Sequence, residues 1–178
     1  MNIGVAIREV ADIERYLLEV RDTHVTINAV QIFVHDIKTN KAIWTDTMIA
    51  DVRKLGIKSI YVHSTFRIVL GKGLTLRLFP QQYADLVVLG VDGVIVHIPP
   101  TMPIHDAVEY IVKLLKYTYM KLSELEIRRY TARLPNDLAF PPIYFEHEPS
   151  EFYSKAAYMR EFGCKLAVAV TDLPIKVG

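Results

Sequence analysis

Two rhythms of apolar and polar positions run along this chain. Short apolar runs read as strands covered on both faces, and stripes at three- and four-residue spacing read as amphipathic helices. The runs Asn2 to Ile7, Ala29 to His35, Ile57 to His63, Val91 to Ile98, Ile143 to Glu146 and Leu166 to Thr171 predict six strands. The stripes predict helices over Asp12 to Val20, Asp46 to Leu55, Pro80 to Gly90, Pro103 to Lys121 and Glu151 to Phe162. One phrase is used twice: LGIKSIYVH from Leu55 returns as LGVDGVIVH from Leu89, 34 residues later, with the glycine seven residues before the histidine in both copies. Related runs end on carboxylates, FGCKLAVAVTD at Asp172 and IYFE at Glu146. The glycine that precedes a run is expected to close a helix in the left-handed conformation, which costs glycine nothing sterically.

Strands and helices in strict alternation, with long crossovers, predict an α/β fold with parallel strands. A doubly wound sheet would carry a glycine-rich phosphate loop after its first strand. Here that turn is Ile7-Arg8-Glu9-Val10. Chemically capable side chains at successive strand ends point instead to a (β/α) barrel. Eight strands take roughly 250 residues, so 178 residues predict an incomplete or truncated TIM-like barrel, about six parallel strands alternating with five helices in a single domain over 1–178.

Composition adds three constraints. The apolar fraction is 51% with mean hydropathy +0.20, a surplus that suggests surface covered either by a partner or by further sequence. Basic and acidic residues number 21 and 20, so no global field argues for nucleic acid or membrane. Cys164 is alone, which excludes an internal disulfide. No run approaches the roughly 20 apolar residues of a membrane span, and MNIGVAIREV lacks the form of a signal peptide. A soluble, intracellular protein of cytoplasm, nucleus or virion is expected.

The chemistry lies at the strand ends. His63, His97, Glu146 and Asp172 would converge on one rim as two imidazoles and two carboxylates, a donor set that suits zinc. His147 and Glu148 compete with Glu146 for its role, and Asp172 doubles as a turn residue before Pro174. His24, His35 and His105 read as ordinary loop, rim and helix positions, and Phe33, Tyr61 and Tyr144 as core. Lys38, Lys41, Arg67 and Lys72 fall in loops on the rim side, where as a set they would suit a DNA phosphate backbone.

The series AVQIF, VHSTFRIVLG, LGVDGVIVHIPP, IYFE and VAVTD resembles the endonuclease IV family of apurinic/apyrimidinic endonucleases, its short viral members especially. The resemblance implies a metal-dependent TIM barrel that cuts DNA 5′ to abasic sites with three zinc ions. It makes His63 and His97 metal ligands, Glu146 a bridging and catalytic carboxylate, and Asp172 the aspartate of a D-T-x-H segment. Departures accompany it. Ile175 stands where that segment has its histidine, Ile98-Pro99-Pro100 follow His97 without the family's glycine, and the last two family strands have no counterpart. At most one metal position, held by His63, His97 and Glu146, would be complete. The expected function is therefore a degenerate, partner-dependent structural or assembly component, with a protein partner or oligomer covering the open barrel edge. The alternatives are a metal-dependent phosphodiesterase acting on abasic DNA and a metal-dependent enzyme of the sugar-isomerase type.

Overall fold

The structure, a computed structural model, describes residues 1–65, 68–124, 140–147 and 155–170. Five strands, β1 (Asn2–Ala6), β2 (Thr26–Ile32), β3 (Ser59–His63), β4 (Gly93–Ile98) and β5 (Ile143–His147), alternate with α1 (Val10–Val20), α2 (Asp46–Lys54), α3 (Gly73–Leu89) and α4 (Ile104–Glu124). A further helix, α5 (Lys155–Ala169), follows β5. All four strand pairings are parallel, and the sheet order is β1-β2-β3-β4-β5. The α/β reading with parallel strands holds. Consecutive order is that of a (β/α) barrel, since a doubly wound sheet reverses its order part-way. Right-handed crossovers between consecutive strands place the helices on one side of the sheet.

Burial follows that asymmetry. Val30, Ile32, Ile60, Val62, Val94, Val96 and Phe145 are buried in the core with the helices' apolar faces. The alternate positions Gln31, Tyr61, Ile95, His97, Tyr144 and Glu146 are half-buried or exposed. Gly93 is the floor of this second face. A Cβ there would lie 2.6 Å from Cε2 of Tyr144 and 2.9 Å from Cδ1 of Tyr61, whose rings meet edge-on with centroids 5.8 Å apart.

Several elements depart from the sequence reading. Leu166 to Thr171 is not a sixth strand: its described part belongs to α5 and the turn after it. Tyr158, Phe162, Leu166 and Val170 are all buried at four-residue intervals, a helical stripe that a short window mistakes for a continuous apolar run. Pro80 does not open a helix but lies inside α3, which begins at Gly73. Burial of Thr75, Phe79, Tyr83 and Leu86 along one face outweighs the single hydrogen bond that a proline omits. The helix expected from Asp46 begins there and is capped one residue earlier by Thr45, whose hydroxyl accepts from the Met48 N–H at 3.3 Å. Gly56 and Gly90 take φ of 86° and 68°, the expected left-handed closures. No described helix is long and apolar enough to cross a membrane.

Candidate metal centre

Three neighbouring strands deliver three donors to one point. His63 is the last residue of β3, and His97 on β4 is the direct register partner of Glu146 on β5. His63 pairs with Ile95, two residues before His97, so both imidazoles emerge on the same face of the sheet. One donor atom from each of His63, His97 and Glu146 lies within 4.8 Å of the other two.

The imidazole of His63 is fixed from two sides. Its ring lies 4.9 Å from that of Phe33, and its Nδ1 is 2.7 Å from the Ser64 carbonyl oxygen. A carbonyl only accepts, so Nδ1 carries the proton and Nε2 keeps its lone pair. This is the outer-shell arrangement that orients histidine ligands in metal sites. Burial pushes the His63 pKa below its ordinary value, and the neighbouring His97 adds to that. The Ser64 carbonyl and Glu146 oppose it. The net result favours the neutral, ligating form. Nε2 of His63 and Nε2 of His97 stand 2.5 Å apart, and His97 Nε2 is 4.0 Å from Oε2 of Glu146.

Donors around a tetrahedral zinc at about 2.0–2.2 Å lie roughly 3.3 Å from one another. The observed 2.5 and 4.0 Å bracket that value, so the two imidazoles must part and the carboxylate close on them to seat an ion. Two nitrogens and one oxygen suit zinc and other borderline divalent ions. Among the described residues three donors meet, and a tetrahedral ion held by three protein ligands keeps one position open, the pattern of sites that act on a ligand.

The other predicted residues fall elsewhere. His35 is buried behind β2 and bonded through Nε2 to Asp85 of α3 at 2.9 Å. His105 lies in the first turn of α4, 3.8 Å from Glu109, and His24 is exposed. Lys38 and Lys41 sit in an exposed loop closed by Asp36, whose carboxylate accepts from the Lys38 and Thr39 N–H groups. Lys72 precedes α3 and is exposed. Arg67, Glu148 and Asp172 lie outside the described residues, as does the side chain of His147. Sequence reasoning missed Ser64 and Thr65, which continue from His63 into the site. The signal was the small polar pair directly after the strand-end histidine. Phe33, read as core, is a half-buried wall of the site.

No protein-family model matches this chain, and no curated protein does. Among solved structures it is similar to a 2,3-dimethylmalate lyase, described as a PEP mutase/isocitrate lyase superfamily member. The TM-score is 0.45 at 10% identity, over 94% of this chain and 53% of that one. The chain thus spans about half the length of that lyase. The resemblance to endonuclease IV is not upheld, because no model of that family matches and the structure found belongs to a different superfamily. The readings that depended on it fall with it: abasic-site cleavage, DNA repair, hydrolase chemistry, and a degenerate member of that family. Short phrases that end a parallel strand on a histidine or an acid recur wherever strand ends carry ligands, so their order alone does not identify a family.

Proposed function

We propose that this chain is a divalent-metal-binding α/β protein, zinc being the preferred ion, and that it acts on a small oxygen-bearing molecule at the carboxyl ends of β3, β4 and β5. The observation that carries the reading is the meeting of His63, His97 and Glu146 within 4.8 Å, with the Nδ1 of His63 already occupied by a carbonyl. His63 and His97 would hold the ion through Nε2, and Glu146 through a carboxylate oxygen. A bound divalent ion supplies Lewis-acid polarisation of a ligand oxygen. The chain's own contributions are separate. Phe33 and the Ser64 carbonyl keep the His63 ring from turning. Glu146, with its side chain 48% exposed, stays reachable from solvent and can accept a proton as well as bind.

Equilibrium dialysis against zinc, followed by elemental analysis, tests this. Wild-type protein is expected to retain about one equivalent, and His63→Ala, His97→Ala and Glu146→Ala each to weaken binding by at least about 100-fold. His24→Ala and His105→Ala serve as controls that bind normally. Zinc retained equally by all variants, or absent from the wild type, would refute the reading.

A further inference from the structure

The face of the sheet turned away from the helices carries the donors in rows. His63 pairs with Ile95 and Ile95 with Tyr144, so these three share one row. His97 and Glu146 form the next row towards the carboxyl ends, and Tyr61 and Gly93 the row beneath. The same face holds an open hollow of about 390 Å³, bordered by Tyr61, Ile95, Tyr144, Phe145 and Glu146. Glu146 thus belongs both to the donor set and to the rim of the hollow. Two tyrosines shape it. The rings of Tyr61 and Tyr144 have centroids 5.8 Å apart and planes at 76°, so together they make a corner, and the missing Cβ of Gly93 leaves room for both. Tyr144 is 36% exposed, while Tyr61 and Ile95 are half-buried. Apolar surface therefore faces outwards from a parallel sheet, a kind of sheet that is ordinarily covered on both faces. Such surface beside a few convergent polar groups is the makeup of a ligand site.

We propose that this hollow seats the body of the ligand whose oxygen meets the ion at His63, His97 and Glu146, and that the body is a planar aromatic ring joined directly to the metal-binding oxygen group, as in an aromatic acid. The proposal rests on the metal reading of the triad. Reach and shape select the ring. Successive rows on one face of a strand are about 7 Å apart, so a group held at the donors lays its next few atoms over Ile95 and Tyr144. A flat ring stacked on Tyr144 meets Tyr61 edge-on, because the two tyrosines are nearly perpendicular. Stacked and edge-on are the two arrangements that aromatic rings prefer. An aliphatic body would gain contact area there but neither of these geometries. The volume lies above the roughly 300 Å³ at which ordinary ligand pockets begin, so a single ring fits.

The test uses the zinc-loaded full chain, titrated calorimetrically with acetohydroxamate, benzohydroxamate and cyclohexanecarbohydroxamate. The three probes present the same metal-binding group and differ in the body attached to it. Benzohydroxamate is expected to bind at least about tenfold more tightly than either of the others, and to move the ring NMR signals of Tyr61 and Tyr144, which acetohydroxamate leaves in place. Tyr144→Ala should remove that margin while zinc and acetohydroxamate bind as before, and Tyr144→Phe should keep it. Unmoved tyrosine signals in the wild type overturn the subsite whatever the variants do. So does a wild type that shows no margin, including the case in which sedimentation finds the face covered by a second copy of the chain. A saturated ring bound as tightly as the flat one also overturns it, as does a margin that survives in Tyr144→Ala. Failure of the wild type to bind zinc sinks the metal reading and the subsite together, whereas normal zinc binding without the ring margin sinks the subsite alone.

Discussion

His63 and His97 are 34 positions apart in sequence, yet their Nε2 atoms stand 2.5 Å from each other. The Ser64 carbonyl accepts from Nδ1 of His63, so the Nε2 lone pair of His63 is the one that faces the His97 ring. Elements well away from this contact hold together the fold that carries it, and each makes a separate prediction.

Gly163 lies within α5, is exposed, and has open space where a Cβ would project. Replacing it by alanine removes unfolded-chain entropy without a clash. Gly163→Ala is expected to stabilise the protein by about 0.5–1 kcal/mol, measured by denaturant unfolding. A loss of stability would contradict the helix and favour an extended segment.

Asp92 ties three elements at the amino ends of the strands. Its Oδ2 accepts from the Arg53 guanidinium at 2.6 Å and from the Ile60 N–H at 2.7 Å, joining α2, β3 and the approach to β4. Asp92→Ala leaves the Ile60 N–H without its partner and should cost about 1–3 kcal/mol. Asp92→Asn keeps an acceptor for that N–H and should cost less. Equal losses in the two variants, compared by thermal melts, would contradict this account of the bond.

Asp85 holds His35, whose side chain is 2% exposed, at 2.9 Å. Asp85→Ala strands a buried imidazole nitrogen and should destabilise by about 1–3 kcal/mol. Zinc affinity should be unaffected, because this pair is separate from the His63 cluster. A matching fall in zinc affinity would show that the His35–Asp85 contact positions the centre.

At the start of α1 the Asp12 carboxylate accepts from the N–H groups of Arg8 and Glu9 at 2.9 and 3.2 Å. These bonds, the Arg8 one foremost, with the Arg15 cation adding to them, hold its pKa below the ordinary 3.8. A depressed folded value means that the carboxylate's stabilising effect is full above the unfolded pKa and is lost as pH falls through the folded one. Acid unfolding below about pH 4 should therefore be less steep in Asp12→Asn than in wild type. The Asp12 carboxyl signal in an NMR titration should move only below the ordinary carboxylate range, and movement at or above it would contradict the cap.

The parallel α/β architecture and the triad were legible for the same reason: each strand that carries a donor is preceded by its own turn or closing residue and carries the donor at its last or next-to-last position. Leu55 to His63 and Leu89 to His97 repeat one phrase, and a repeated phrase folds into a repeated unit whose ends lie side by side. What was not legible involves partners distant in sequence. Asp85 looks like one polar residue in an apolar helix until His35 is found beneath it. Gly93 reads as one small residue inside the Val91 to Ile98 run, although its role is to clear space for Tyr61 and Tyr144. The stripe from Tyr158 to Val170 was misread because FGCKLAVAV satisfies both rhythms over a short window, and only its continuation back to Tyr158 selects the helix.

Neighbours in the sheet are also neighbours in sequence, and this orders the site's birth on the ribosome. A nascent chain can dock each new strand against the one just made, without waiting for a distant segment to emerge. The imidazole pair is thus complete once β4 has docked, 49 residues before Glu146 is translated. The acid is the last of the three donors to be made.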